Sequence, residues 1–220
     1  MAKLFIFLVT MCMFSTASLQ AATDTTAVRE FIRRVTHDKA HFFSIEMIPD
    51  SAGRDVFELE SMGSQIVLRG NCGTSIGSAL NHYLRNYAGV LVSWNVIPNK
   101  LPAVLPPVSG KIRNVSPYRF RYYLNYCTFN YSMAWWDWTR WQQEIDWMTL
   151  NGINMPLALT GEEAIWQEVY REMGFSRTQL DKFFAGPTHF AWFWMGNLDG
   201  WGGPLSAGWM EGQKKLQKQI

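Results

Sequence analysis

The chain has 220 residues, of which 48% are hydrophobic, 17% charged and 15% aromatic, and its formal net charge is +2. This apolar fraction can bury a core, so the composition excludes an intrinsically disordered chain. A charge so close to zero, without a dominant stripe of Lys and Arg, argues against a nucleic-acid-binding protein. Ten of the eleven tryptophans fall between Trp135 and Trp209, which indicates an aromatic binding surface as well as a core.

Residues 1–22 have the pattern of a secretory signal. Lys3 supplies a positive charge, an apolar run follows over 4–14, and the small residues after it offer cleavage sites. This run is shorter than the roughly 20 residues that a membrane-spanning helix needs. We therefore expect a secreted or periplasmic protein with a cleaved signal and no stable membrane span.

The pattern of residues 23–107 predicts a small α/β domain. The predicted elements are a helix over 26–36, strands over 43–48, 56–60 and 65–69, a helix over 75–87 and a strand over 90–94. Four of the nine prolines fall between Pro98 and Pro107, a density that prevents regular structure. We place a linker there and the domain boundary at residue 107.

Over residues 108–220 the pattern changes to strand, loop, helix. The first predicted unit is a strand over 120–124, an irregular stretch over 125–134 and a helix over 136–150 with Gly152 as its stop. The second is a buried strand over 153–159 and a helix from Thr160 to Gly174. A short helix capped by Ser176 and Gln179, a loop over 190–208 and a helix over 211–220 follow. The side chains expected to point inward from the helix before Gly174 are Trp166, Val169, Tyr170 and Met173.

Alternating strands and helices are typical of a parallel sheet, either doubly wound or closed as a barrel. Two βα units are too few to close a barrel. The last predicted helix also reaches the end of the sequence without a Gly, Asn or Pro stop signal. We therefore expect the chain to be the front part of a longer protein.

Two loops that follow predicted strands carry polar residues, and in a β/α barrel such loops build the active site. The first strand leads into Asn125 and Cys127. Asn125 can bind a polar ligand or cap the loop, and both roles stay open. Cys127 has no base in its sequence neighbourhood, which favours a packed or ligand-lining thiol over a nucleophile.

The second strand leads into Glu162 and Glu163. Glycosidases need two carboxyl groups that face each other across the scissile bond, whereas adjacent residues that open a helix diverge. We predict that these two glutamates are acids favoured by the helix N-terminus. Contact of one of them with a ligand stays open.

Three tryptophans, Trp192, Trp194 and Trp201, lie in the loop over 190–208 and do not follow helical spacing. Flat aromatic faces outside a helical stripe suit the C–H faces of sugar rings, and packing in the core is an equally weighted alternative. His189 precedes this loop and is only a weak candidate.

The sequence favours no metal or disulfide framework. His37 and His41 have the i, i+4 spacing of metal ligands, but no third ligand accompanies them, so we expect surface histidines. After removal of the signal, Cys72 and Cys127 are the remaining cysteines. Two cysteines cannot make a disulfide framework, although a single bridge between them stays open. No CxxC or clustered His/Cys pattern supports a structural zinc site.

The second half of the chain closely resembles glycoside hydrolase family 89, the α-N-acetylglucosaminidases. The resemblance is carried by motifs in the family's order. They are YYLNYCT at 122–128, WWDW at 135–138, EIDWM at 144–148, NGIN at 151–154, EAIW at 163–166, GP at 186–187, AW at 191–192 and MGNL at 195–198. Residues 23–107 are similar to the family's small N-terminal domain. The resemblance implies an α/β fold in which this domain precedes the first units of an incomplete (β/α)8 TIM-type barrel.

The resemblance also implies an activity, the retaining exo-hydrolysis of terminal α-linked N-acetylglucosamine from heparan-type or mucin-type glycans. In the family, Asn125, Cys127, Trp192 and Met195 match positions that line the sugar pocket. Asn125 would bind a hydroxyl, Cys127 and Met195 would shape the wall, and Trp192 would pack against the ring or the acetamido group. No cofactor and no metal are implied, and the expected partner is the glycan.

The resemblance places both catalytic glutamates of the family well beyond the MGNL motif, so we expect them downstream of Ile220. No residue of this chain is therefore predicted to be catalytic, and the isolated chain is predicted to be inactive. The alternatives are a non-catalytic secreted carbohydrate-binding protein and a scaffold whose tryptophans all lie in the core. The sequence indicates no oligomeric state.

Overall fold

A computed structural model describes residues 25–96 and 100–220. The predicted signal at 1–22 lies outside these residues. The strands are β1 (Phe43–Met47), β2 (Val56–Met62), β3 (Gln65–Gly70), β4 (Ile112–Val115), β5 (Tyr122–Tyr123) and β6 (Met155–Pro156). The helices are α1 (Thr25–Thr36), α2 (Gly73–Asn86), α3 (Tyr126–Thr128), α4 (Trp138–Leu150), α5 (Glu162–Glu172), α6 (Arg177–Phe183), α7 (Phe190–Trp194) and α8 (Ala207–Gln219). Shorter turns are 3₁₀-helical over His37–Phe42 and Pro187–His189 and π-helical over Phe129–Met133.

The first half of the chain forms a four-stranded sheet in the order β1-β3-β2-β4. Strand β1 runs parallel to β3, and β2 runs antiparallel to both β3 and β4. Val28, Phe31, Ile32 and Val35 recur at helical spacing in α1 and are all buried. They share a core with the buried side chains of α2 and of the sheet, so the helix and three strands predicted before residue 70 are confirmed.

A row of alternating charges crosses this sheet. In the strand register Glu46 of β1 faces Arg69 of β3, Arg69 faces Glu58 of β2, and Glu58 faces Arg113 of β4. Arg69 pairs with Glu46 and Glu60, while Arg113 pairs with Glu58 at 2.6 Å. Opposite charges on neighbouring strands stabilise the sheet.

The second half of the chain begins a parallel βα arrangement. Strands β5 and β6 pair in parallel, with Tyr122 beside Met155, and α4 connects them. Helices α5 to α8 follow β6, and their buried side chains form a second core with those of α4. The expected fold class, a small α/β domain followed by the first units of a TIM-type barrel, is confirmed.

Helix α4 is the element that joins the two halves. The guanidinium of Arg34 in α1 donates two 2.7 Å hydrogen bonds to the buried carboxylate of Asp146. The backbone of α2 at Gly77 lies against the backbone of α4 at Thr149. A second ion pair joins Asp55, just before β2, to Arg121, just before β5.

Three predicted strands differ from the structure, and the one predicted over 120–124 is reduced to Tyr122–Tyr123. Residues 90–94 form no strand, because the N–H of Val90 bonds to the carbonyl of Leu84 at 2.8 Å and closes the end of α2. The strand predicted over 153–159 is reduced to Met155–Pro156 and is exposed rather than buried. Pro156 has no N–H with which to continue a ladder.

Two predicted loops are helical in part. Residues 125–134 are not irregular but contain α3 and the π-helical turn Phe129–Met133, and the loop over 190–208 contains α7. In α5, Trp166 and Tyr170 pack inward as expected. Val169 and Met173 are exposed, because α5 meets α6 and α8 with another side of the helix. The capping box of Ser176 and Gln179 is present.

Among the residues that the structure describes, no helix is both long and apolar enough to cross a membrane.

Candidate active site

Strands β5 and β6 end at the same edge of their sheet, and the segments that follow them carry the predicted site. Strand β5 leads into α3 and the π-helical turn, and β6 leads into the N-terminus of α5. In β/α barrels this edge holds the active site. Asn125 and Cys127 lie in the first of these segments, and Glu162 and Glu163 in the second.

Asn125 caps α3 and is exposed to solvent. Its Oδ1 accepts a hydrogen bond from the backbone N–H of Cys127 at 2.8 Å. The capping role that the sequence left open is thus observed. Within the described residues the Nδ2 group of Asn125 donates no hydrogen bond, so it remains available to a ligand.

Cys127 is half-buried and free, and Cys72 is also free. The disulfide that the sequence left open between them is absent. The hydroxyls of Thr74 and Ser75 lie 3.1 and 3.2 Å from the sulfur of Cys72. The thiol of Cys127 has no such polar partner among the described residues.

Trp192 lies in α7 and Met195 directly follows it, so Trp192 and Trp194 are helical residues rather than loop residues. Trp192 is half-buried, and 41% of Met195 is exposed. The ring of Tyr131 packs edge-on against Trp192 at 5.3 Å. Trp192 therefore sits at a surface, with one side supported by the π-helical turn.

Asn130, which the sequence reasoning did not single out, ties the π-helical turn to α7. Its buried side chain donates to the carbonyl of Pro187 at 2.8 Å and accepts from the backbone N–H of Ala191. Both bonds fix the start of α7 relative to α3. The segment with Asn125 and Cys127 is in this way packed against the helix that carries Trp192. The sequence feature that could have pointed to Asn130 is its position as a polar residue within an aromatic stretch.

The carboxylate of Glu162 accepts a hydrogen bond from Tyr126, which lies between Asn125 and Cys127. The Tyr126 hydroxyl donates to Oε2 of Glu162 at 3.2 Å, and Nε1 of Trp166 donates to Oε1 at 3.3 Å. Burial and the neighbouring Glu162 charge raise the pKa of Tyr126 to about 12. The Tyr126 ring also packs edge-on against Trp194. Glu162 therefore orients Tyr126 at the start of α3.

Glu163 is a second carboxyl group in the first turn of α5, and it is buried rather than exposed to a ligand. It is 1% exposed, and its Oε1 has no hydrogen-bond partner among the described residues. Burial raises the pKa of Glu163 to about 7, and the adjacent Glu162 charge adds to this rise. The two glutamates occupy different surroundings and form no catalytic pair.

This raised pKa predicts a pH dependence of stability. The folded chain binds the Glu163 proton more tightly than the unfolded chain, whose value is near 4.5. The stabilisation that the Glu163 proton gives the folded chain is fully present below about pH 4.5. It is lost as the pH rises through about 7, which lowers the free energy of unfolding by up to about 3 kcal/mol. We expect Glu163→Gln to flatten this part of the profile, measured by urea unfolding at pH 5 and pH 8.

The control is Glu172→Gln, which alters an exposed carboxyl group of the same helix. It should leave the pH profile unchanged. An equal slope in the Glu163→Gln variant and the unaltered chain would show that Glu163 does not titrate as described.

The described residues contain no group of three His, Cys, Asp or Glu side chains that could hold a metal ion. His37 starts a 3₁₀-helical turn with a φ of 51°, and His41 lies in the same turn. Among the described residues, no third metal ligand accompanies His37 and His41. The weak candidate His189 lies half-buried beside Trp192 and Trp201.

Strands β5 and β6, paired in parallel and joined by α4, are the βα repeat of the α/β class of proteins. The family models give the particular family. The N-terminal domain of α-N-acetylglucosaminidase matches residues 26–107, and its TIM-barrel domain matches residues 121–220. The chain belongs to the α-N-acetylglucosaminidase family, glycoside hydrolase family 89.

Known relatives agree with this assignment. Human α-N-acetylglucosaminidase is 41% identical over 204 residues, which cover 90% of this chain and 28% of the human protein. A family 89 glycoside hydrolase from Clostridium perfringens, in complex with 2-acetamido-1,2-dideoxynojirimycin, matches with a TM-score of 0.82 at 32% identity. A Clostridium perfringens variant with two glutamates changed to glutamine, in complex with its substrate GlcNAc-α-1,4-galactose, matches with a TM-score of 0.82 at 33% identity.

Both structural matches cover 88% of this chain and 23% of the Clostridium chain. The chain thus spans about a quarter of the length of these relatives.

Proposed function

We propose that the protein containing this chain is a retaining exo-α-N-acetylglucosaminidase. It removes terminal α-linked N-acetylglucosamine from glycans such as heparan-type or mucin-type chains. The support is the family membership together with one structural observation, the hydrogen bonds by which Asn130 holds the start of α7 against the π-helical turn. This contact sets one pocket segment beside another before any substrate is bound.

In this proposal four residues line the pocket for the sugar. Asn125 donates to a hydroxyl from its free Nδ2, Cys127 and Met195 shape the wall, and Trp192 packs against the ring or the acetamido group. The nucleophile and the general acid are glutamates of later barrel strands, as in the family. The part played by this chain is to bind and orient the sugar.

The test of this role is Trp192→Ala in the full-length protein. We expect KM for an α-N-acetylglucosaminide to rise about tenfold because the aromatic face that packs on the sugar is lost. Trp192→Phe keeps a ring and should restore most of the affinity. The thermal midpoint of both variants should stay close to that of the unaltered protein, since Trp192 is only half-buried.

Unchanged kinetics in the Trp192→Ala variant would remove this residue from the site. A full-length protein that binds N-acetylglucosamine without hydrolysing any α-N-acetylglucosaminide would favour the alternative, a non-catalytic carbohydrate-binding protein.

We further propose that residues 1–22 direct export, on the strength of their charge and apolar pattern. The proposed domain division after residue 107 is supported by the N-terminal family model, which ends at that position. Strand β4 lies after residue 107 in the sequence but pairs with β2. The four-stranded sheet of the first domain therefore includes one strand from beyond the proposed division.

A further inference from the structure

Leu124 has a backbone conformation that its residue type rarely adopts. It lies between the end of β5 and Asn125, and its φ is +96°. A residue with a Cβ is strained at positive φ, so the conformation persists only where the surroundings hold it. The Leu124 side chain is buried in the second core. The turn at Leu124 sets the direction in which the chain leaves the strand, and with it the position of Asn125.

Tyr123, the residue before this turn, is anchored through both its backbone and its side chain. Its carbonyl accepts a 3.0 Å hydrogen bond from the N–H of Leu157, just after β6. Its hydroxyl donates a 2.6 Å hydrogen bond to Oε1 of Glu144. Burial, together with this bond to Glu144, raises the pKa of Tyr123 well above its ordinary value. The hydroxyl therefore keeps the proton that it donates, and the turn starts from a fixed point.

The carboxylate that receives the Tyr123 hydroxyl is itself held from two sides. Nε1 of Trp94, from the first half of the chain, donates to the same Oε1 at 2.9 Å, and Arg140 lies 3.1 Å from Oε2. The Arg140 guanidinium also lies over the Trp136 ring, 3.8 Å from its centroid. Since Glu144 is already fully buried in this chain, further barrel units have no access to it and leave these contacts in place.

Beyond the turn, the side chain of Asn125 is fixed by its own cap. Its Oδ1 accepts from the N–H of Cys127 at 2.8 Å, which leaves Nδ2 as the group that can donate to a ligand. Because the cap fixes the side chain relative to α3, the position of Nδ2 depends on where the backbone of Leu124 places Asn125. The anchor of Tyr123 and the donor of Asn125 are thus joined by one strained residue.

We propose that Tyr123 is a positioning residue for sugar binding. Its bond to Glu144 holds Leu124 in the left-handed conformation and thereby holds Nδ2 of Asn125 where a sugar hydroxyl binds. This inference rests on the proposed function, in which Asn125 donates to a hydroxyl of the terminal N-acetylglucosamine. Tyr123 is directed toward α4 and not toward the sugar, so it acts only through the two residues that follow it.

A purely structural role of Tyr123 would have a different kinetic signature. A hydroxyl that only stabilises the fold changes how many molecules are folded, which lowers the apparent kcat and leaves KM unchanged. A hydroxyl that orients a binding group changes the affinity of every folded molecule. This raises KM at constant kcat when the contact is equally strong in the ground state and the transition state. Steady-state kinetics therefore separates the two roles.

The test is Tyr123→Phe in the full-length protein, with 4-nitrophenyl α-N-acetylglucosaminide as the substrate. We expect KM to rise about threefold to tenfold, the range that corresponds to one hydrogen bond between neutral groups. The kcat value should stay within about twofold. The inhibition constant of free N-acetylglucosamine should rise by the same factor as KM, since it reports binding without turnover. An unchanged KM would overturn the proposal.

The matched control is Tyr83→Phe, which removes the hydroxyl of another tyrosine. The Tyr83 hydroxyl donates to the carbonyl of Pro106 at 2.9 Å, and its fully buried ring belongs to the first core rather than to the second. Both variants should lower the thermal midpoint, but Tyr83→Phe should leave KM unchanged. An equal rise of KM in the two variants would indicate a general loosening of the fold and would contradict a positioning role.

A double-mutant cycle tests the route through Asn125. Asn125→Ala should raise KM at least as much as Tyr123→Phe does, because it removes the amide that binds the sugar. If Tyr123 acts through that amide, adding Tyr123→Phe to the Asn125→Ala variant should change KM by less than about twofold. The same rise of KM in both backgrounds would show that Tyr123 acts independently of Asn125, against the proposal.

Failure of this inference and failure of the proposed function give different results. If Asn125→Ala raises KM and Tyr123→Phe does not, the proposed function stands and Tyr123 has only a structural role. If Asn125→Ala leaves KM unchanged, Asn125 lies outside the pocket and the inference fails with that assignment. If the unaltered full-length protein hydrolyses no α-N-acetylglucosaminide, the proposed function fails, and the inference fails with it.

Discussion

Glu144→Ala is expected to lower the free energy of unfolding by about 3–5 kcal/mol, the usual cost of removing one partner from a buried ionic group. Glu144 is fully buried in α4. Its Oε1 accepts from the hydroxyl of Tyr123 at 2.6 Å and from Nε1 of Trp94 at 2.9 Å. Its Oε2 lies 3.1 Å from Arg140. The variant leaves two donors and one cation without a carboxylate, and urea unfolding measures the loss.

Two further variants serve as comparisons for the loss of stability in Glu144→Ala. Glu144→Gln keeps an acceptor for Tyr123 or Trp94 and should cost less than Glu144→Ala. Glu211→Ala removes an exposed carboxylate whose lysine partner is 3.8 Å away, so its effect should stay within about 0.5 kcal/mol. A Glu144→Ala protein as stable as the Glu211→Ala protein would contradict the described network.

Gly77→Ala is expected to be the most damaging change of a single glycine in a helix of this chain. A Cβ at Gly77 would lie 2.7 Å from the backbone carbonyl carbon of Thr149 and nearer still to its oxygen. Neither backbone can yield without separating α2 from α4. Overpacking of this kind costs about 1–3 kcal/mol or more, and we expect a matching fall in the denaturant midpoint.

The matched control is Gly212→Ala, another glycine inside a helix. A Cβ at Gly212 meets no atom within 4 Å. Because alanine has the higher helix propensity, this variant should be more stable by about 0.5–1 kcal/mol. Opposite signs for the two substitutions are the expected result, and equal effects would show that α2 and α4 are not in contact at Gly77.

Local patterns were sufficient to predict much of the fold. The apolar spacing of α1 and the apolar runs of β2 and β3 belong to short stretches of sequence, and the structure has a helix and two strands there. The strand over 90–94 was wrong: Val92 is buried in the core and Leu91 is exposed, as in a strand, but Val90 bonds back to the end of α2 and no neighbouring strand among the described residues pairs with the segment. The strand over 153–159 was predicted too long and buried, because the extent of strand pairing depends on residues distant in sequence.

The candidate site was predictable as far as the positions of its residues and no further. Spacing placed Asn125 and the two glutamates after strands, and the structure places them there. Neither the buried tie of Asn130 to Ala191 nor the bond of Glu162 to Tyr126 could be foreseen. Both join residues that are 36 or more positions apart, and no short-range pattern records such contacts.

The junction around α4 has a consequence for biosynthesis. A ribosome delivers the first sheet, α1 and α2 before it delivers α4, and early parts of a chain fold first. Arg34 and Trp94 are then already in place to receive Asp146 and Glu144 of the emerging helix. We therefore expect α4 to dock on a small domain that has already folded. Substitutions that weaken this junction are expected to lower the amount of folded protein that a cell accumulates.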